Sequence, residues 1–340
     1  MLDLLREHDP ELVELHCGSG GVLVSPGLQG RIFCHIADDL AQRLDATLLE
    51  HPSTEEFNNL GGNSLWPAPE GGDFAFNYLP GSDDWLVQKG ISDATPAVVD
   101  RDASTVVIEK VIDLTNRKGT EIRLKVRRRV SVMGAPTPPH AYELETVGYA
   151  VVDTFVPLGE YSTEEVLLAP WSLEQFPGAE GVVAFAKVQE PQKAINFDFY
   201  GHPGARIAYD NGHFTFALGG PDRHQIGISV EREPELIGAM DTSRSLLILR
   251  KTPPQDGAYF NIADNDQPQG PYSAADCYSI FNGGSLDFFE LETIGAMQVV
   301  DGKLAESTLR SETLILCGPV AALKQYLAEQ AGIHLSREAV

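Results

Sequence analysis

The chain has 340 residues, 43% of them hydrophobic and 22% charged, which is the balance of a folded protein able to bury one large β core or two ordinary ones. A formal net charge of −24, from 49 acidic against 25 basic residues, creates a negative field that repels phosphate backbones and anionic lipid. Nucleic acid and membrane surfaces are therefore excluded as expected partners, and strongly anionic polysaccharides are disfavoured. No stretch reaches the roughly 18–20 apolar residues needed to span a bilayer, and residues 1–8 lack the basic start and long apolar run of a signal peptide. Cys17, Cys34, Cys277 and Cys317 are scattered without zinc-like spacing, so they read as free thiols in a reducing cytoplasm.

Residues 2–15 read as a short helix and a turn into the first strand, and residues 20–36 as two strands joined by the Pro26-Gly27 turn. Residues 37–49, with Leu40, Leu44 and Leu48 four apart, fit a helix or a strand. The stretch 58–72, Asn-Asn-Leu-Gly-Gly-Asn-Ser-Leu-Trp-Pro-Ala-Pro-Glu-Gly-Gly, reads as a shaped loop. Its stiff, irregular backbone carries Trp66, Asn59, Asn63 and Glu70. An aromatic face beside amides and a carboxylate suits sugar recognition, and equally suits a buried structural tryptophan.

A turn at 81–84 leads to a short strand at 85–87. Strands are expected at 105–114, 121–133, 142–157 and 164–168, rich in Val, Ile, Thr and Tyr. In the second of these, Ile122, Leu124, Val126, Val130 and Val132 share a face that also receives Arg128. An inward arginine needs either a structural ion pair or a pocket to line. Further strands are expected at 181–188, 194–200, 206–209, 213–218, 225–231, 245–250, 276–281, 285–295 and 306–316, with a hairpin turn at 210–212. The end differs: Pro319, the apolar stripe Val320, Leu323, Leu327, and Gly332 predict a helix over 319–330, within 318–332, that caps one end or edge of the β structure. With no βαβ alternation and no fixed repeat, the economical architecture is all-β: one domain over 1–340, a large antiparallel sandwich with a few short helices.

Two segments could carry chemistry. In Phe288-Phe289-Glu290-Leu291-Glu292-Thr293, period-two alternation puts Phe288, Glu290 and Glu292 on one face. Two carboxylates sharing a face must be solvated, paired with cations, or have one acidity constant raised, as a general acid or base near neutrality requires. Pro170-Trp171-Ser172-Leu173-Glu174-Gln175-Phe176-Pro177 again combines a tryptophan with a carboxylate and an amide. His202, His213 and His224 recur eleven apart but match no compact ligand motif, and Asp264-x-Asp266 lacks the spacing of a calcium loop. No metal and no cofactor are expected, and the glycine-rich, nucleophile-elbow and zincin signatures do not occur.

The segments Val22-Leu23-Val24 with Gly30-Arg31-Ile32, then 61–67, then 170–176, and last 289–292 together resemble the galactose mutarotase-like superfamily, which includes the aldose 1-epimerases. The resemblance implies a twisted β supersandwich whose concave face holds a sugar, with Glu292 at the position of the glutamate base. The phosphosugar members carry an arginine directly before the Gly-Gly pair, where this chain has Leu60, which argues against a phosphosugar. Their catalytic histidine segment corresponds to 171–176, which holds Glu174 and no histidine. The expected function is carbohydrate binding, extended to epimerase chemistry by paired carboxylates: Glu292 as base, Glu174 or Glu290 as acid. Arg31, Asn59, Asn63, Trp66, Glu70, Arg128, Trp171 and Gln175 are the expected substrate contacts. A non-catalytic sugar-binding or regulatory domain on the same fold is the alternative.

Overall fold

The computed structural model describes residues 1–134, 143–178, 181–259 and 275–335; Asp264-x-Asp266 and the start of the strand expected at 142 lie outside them. Two ten-stranded antiparallel sheets form the body. The first runs, neighbour by neighbour, through Val13–Cys17, Gly20–Ser25, Arg31–Ile36, Gly62–Ala68, Ala169–Pro177, Phe288–Ile294, Asp276–Asn282, His224–Ser229 and Ile195–Asn196, with Asp39–Leu40 beside Arg31–Ile36. The second runs through Ile207–Asp210, His213–Ala217, Val182–Lys187, Leu236–Asp241, Leu246–Lys251, Ser307–Cys317, Glu145–Pro157, Glu121–Val132, Thr105–Thr115 and Ala97–Arg101. This is the large antiparallel β-sandwich that the sequence predicts.

The long strands obey the alternation that defines a two-layer core. In Glu121–Val132 the residues Ile122, Leu124, Val126 and Val130 are buried, and they join Ile32, Val106, Ile108, Val147 and Phe155 in the main apolar cluster. The C-terminal helix, Val320–Ala331, stops at Gly332 in the left-handed region (φ 69°). Its Leu323, Tyr326 and Leu327 pack on Phe185, Met240, Leu247 and Leu316. It therefore covers a broad part of the second sheet, where an end or edge cap was expected.

Other expectations shift as well. Residues 164–168 form no strand, Trp85 makes only an isolated bridge to Tyr78, and 194–200 contributes only Ile195–Asn196. Strands at Ala97–Arg101 and Leu236–Asp241 were not foreseen. Residues 37–49 split into the strand Asp39–Leu40 and the helix Ala46–Glu50, whose first turn is capped by Asp45.

The largest revision concerns 58–72, where Gly62–Ala68 is a strand of the first sheet in full register with Ala169–Pro177. Pro67 is tolerated there because it lies directly opposite Pro170, and Arg31–Ile36 meets the strand only at Ile32 and Asn63. Beyond that point its other side needs no ladder donor. The glycine pair before it is required by close approach. A side chain at Gly61 (φ 89°) would strike the Arg43 carbonyl, and one at Gly62 (φ 69°) the Phe33 ring. Leu60 turns into an apolar cluster with Leu5, Leu23 and Phe33. Among the described residues no helix is long and apolar enough to cross a membrane.

Candidate functional site

Register across four strands assembles one wall of polar and aromatic side chains. Trp66 pairs with Trp171, Ser64 with Leu173, Gln175 with Glu290, and Ser279 with Glu292. Alternation then sends Ser64 and Trp66, Trp171 and Gln175, and Phe288, Glu290 and Glu292 out of the same face. They line a cavity of about 470 Å³ on the side of the first sheet that faces away from the second. Gln225 and Phe281 extend the wall from the neighbouring strands, and Arg31, Asn59 and Glu70 close it from the other side.

The centre of the site is the Glu290–Glu292 pair, whose carboxyls are both buried and hydrogen-bonded to each other. Glu292 Oε2 accepts from Trp171 Nε1 at 2.9 Å, and both of its oxygens lie 3.4 Å from Gln225 Nε2. Glu290 Oε1 accepts from Gln175 Nε2 at 2.7 Å, and the same amide reaches Asn59 Oδ1 at 2.9 Å. Burial pushes Glu290 up to about 7 and Glu292 well above the carboxylate range, Glu292 being raised further by the Glu290 charge. Two buried carboxyls that close cannot both ionise at neutral pH, so the pair holds a shared proton.

Arg31 and Arg43 stand near Glu290 and pull its acidity constant down. Burial lowers Arg31 itself to about 10, which leaves it charged. Arg43 braces the wall from behind: it donates to the Asn59 carbonyl at 2.7 Å and to Gln175 Oε1 at 3.3 Å, and its guanidinium lies 5.1 Å from the centre of the Phe288 ring. Glu70 is held by Asn77 Nδ2 at 3.2 Å and is pushed up to about 8, by burial first and then by Glu290. A third carboxyl of the cavity is therefore neutral at pH 7.

Three expected site residues lie elsewhere. Glu174 points from its strand to the opposite face, into the space between the sheets, and is fully buried. There it accepts from Gln42 (2.7 Å), Tyr149 (2.9 Å), Thr313 (2.7 Å) and Arg250 (2.6 Å). It is a core ion pair and does not converge with Glu292. Arg128 takes the structural course, bonding Asp153 at 2.7 Å and Asn63 Oδ1 at 2.6 Å. Asn63 is consumed by that contact and by donation to the Tyr149 hydroxyl at 3.0 Å, so neither Asn63 nor Arg128 reaches the cavity.

Sequence reasoning passed over Gln225, Arg43, Tyr78, Trp85 and Tyr200. Only Gln225 had a signal, since Gln225, Gly227 and Ser229 share the face opposite Ile226 and Ile228. The others sit on loops whose placement no periodicity encodes. The three histidines stay apart, and among the described residues no cluster of His, Cys, Asp or Glu could hold a metal.

With this geometry, comparison with solved structures is informative about architecture. A candidate aldose 1-epimerase from Escherichia coli superposes with a TM-score of 0.54 at 14% identity, covering 90% of this chain and 98% of that one. A galactose mutarotase-like protein from Lactobacillus casei gives 0.45 at 12% identity (90% and 98% covered). A galactose mutarotase related enzyme from Lactobacillus acidophilus gives 0.43 at 10% identity (91% and 98%). At such identities the likeness is one of fold. A comparison with curated protein sequences gives no match. Residues 1–337 match the model of a family of unknown function, DUF6786, and the chain belongs to that family.

Proposed function

We propose that the chain binds a carbohydrate in this cavity and interconverts its anomers through the Glu290–Glu292 pair. The observation that carries the reading is a pair of buried neighbouring carboxyls, one of them hydrogen-bonded to Trp171, on a sheet face lined with aromatic rings. A pyranose has apolar faces for Trp66 and Trp171 and hydroxyls for Asn59, Gln175 and Gln225. The ionised member of the pair removes the proton of the anomeric hydroxyl while the protonated member gives its proton to the ring oxygen. The C1–O5 bond breaks to an open-chain aldehyde. Rotation about C1–C2 and the reverse transfers close the other anomer and restore both carboxyls.

The nearby Arg31 and Arg43 favour the charge on Glu290, which makes Glu290 the base and Glu292 the acid, the reverse of the order implied by the resemblance. Glu70, neutral at pH 7, serves as a hydrogen-bond donor to the bound sugar. The four free cysteines support the reading that this chemistry runs in a reducing compartment such as the cytoplasm.

The structural bonds already made by both carboxyls favour a second reading, a sugar-binding domain without turnover. Anomer exchange of a panel of neutral sugars, followed by NMR for wild type, Glu290→Gln and Glu292→Gln, separates the two. Catalysis predicts acceleration by the wild type and a loss of about 10²–10⁴-fold in either variant. Binding without acceleration selects the second reading, and absence of both binding and acceleration refutes the two together.

A further inference from the structure

The chain has three tryptophans, and all three line the same cavity. They are linked through Phe57 into one path of edge-to-face contacts. Trp171 lies 6.1 Å from Trp66, Trp66 5.5 Å from Phe57, and Phe57 6.2 Å from Trp85, measured between ring centres. The path starts at Trp171, which is 2% exposed and hydrogen-bonded to Glu292, and ends at Trp85, which is 52% exposed. A single sugar ring held at the carboxyl pair engages the buried start of this path. Its outer members are left without a partner of the size they could cover, and a half-exposed tryptophan at the rim of a cavity is a surface set out for contact.

We propose that the ligand is an uncharged oligosaccharide of at least two rings, with its reducing end at Glu290 and Glu292 and its second ring against Trp85 and Phe57. This rests on the sugar reading of the cavity given above and extends it. Aromatic faces recognise the apolar faces of pyranoses, and successive rings of a glycan need successive platforms. The net charge of −24 speaks against an anionic glycan. Beside Trp85 in the chain stand Asp84 and Asp83, the latter paired with Arg117. The reaction at the reducing end is the same ring opening and closure, so no further reactant enters.

The tryptophans make the test direct, because all three line the cavity and are excited apart from tyrosine near the red edge of their absorption. Glucose and galactose are compared with cellobiose, maltose and lactose by fluorescence titration, by acrylamide quenching and by anomer exchange. The expected result is a disaccharide that binds roughly tenfold more tightly than its reducing-end monosaccharide and shields emission from acrylamide. Trp85→Ala collapses that affinity ratio to within about twofold of unity, while Trp85→Phe retains part of it. Trp85 is half exposed, so these variants are expected to keep the fold, and a thermal melt checks it. Equal affinity for mono- and disaccharides, or a ratio unmoved by Trp85→Ala, overturns the inference while leaving monosaccharide exchange, and so the underlying reading, intact. If no sugar shifts the emission or exchanges faster, both fall.

Discussion

Glu174→Gln and Glu290→Gln make the same chemical change on adjacent strands of one sheet, and the structure assigns them opposite effects on stability. Glu174 accepts four hydrogen bonds between the sheets, one of them from the fully buried Arg250. Glutamine in its place leaves that guanidinium without a counter-charge and turns an amide N–H₂ toward existing donors, a loss of about 3–5 kcal/mol. Glu290 is instead a carboxyl whose ionisation is penalised by burial. Its acidity constant is about 7 in the folded protein against about 4.5 unfolded, so the folded state holds more protons between those values. Stability is then full below about pH 4.5 and is lost as pH rises to about 7. At about 1.4 kcal/mol per unit the loss is on the order of 3–4 kcal/mol at most. Glutamine does not titrate and escapes that loss, while its carbonyl still accepts from Gln175. Guanidinium denaturation at pH 5 and pH 8 reads both effects. Glu174→Gln is expected to be destabilised at both pH values, and Glu290→Gln to be near wild type at pH 5 and more stable at pH 8. A Glu174→Gln midpoint indistinguishable from wild type, or a Glu290→Gln loss of similar size to that of Glu174→Gln, refutes the division of the two carboxyls between core and cavity.

Two further outcomes follow from the same geometry. If Glu290 is the base, anomer exchange rises with pH through about 7, and Arg31→Met moves that limb to higher pH because it removes a cation that holds Glu290 down; a pH–rate profile of the two proteins tests the sign. Ending the chain at Gly318 uncovers Phe185, Met240, Leu247 and Leu316, so the truncated protein should bind a hydrophobic dye and aggregate, and a soluble, monodisperse product would contradict the packing of the C-terminal helix.

Much of this was legible in the sequence wherever a strand is wet on one face. The alternation of 121–133 predicted an inward Arg128, and the structure supplies Asp153 as its partner. The spacing of Glu290 and Glu292 put them on one face, and Pro319 and Gly332 bracketed the C-terminal helix. The failures have a common cause. Ala169–Pro177 is buried along almost its whole length, because one face meets the second sheet and the other meets the cavity. Polarity then carries no information about direction, and Glu174 and Gln175 look alike until pairing with Phe288–Ile294 sets Gln175 against Glu290.

The same argument explains why the stretch around Trp66 was read as a loop although it is a strand. Proline and glycine count against a strand because a ladder needs N–H donors and side chains to pack. Gly62–Ala68 escapes both demands. Its one proline, Pro67, lies opposite Pro170 of one neighbour where the other neighbour has already departed, and its glycine, Gly62, opens the strand against the Phe33 ring. The irregular composition therefore marks the point at which one sheet loses a neighbour and opens into a cavity. Trp66 is the buried side chain that lines this opening, and the path from Trp171 to Trp85 begins to leave the core there. A strand that opens on a glycine pair and carries a proline thus belongs to the architecture of the site itself: the local departure from strand rules is what makes room for a ligand.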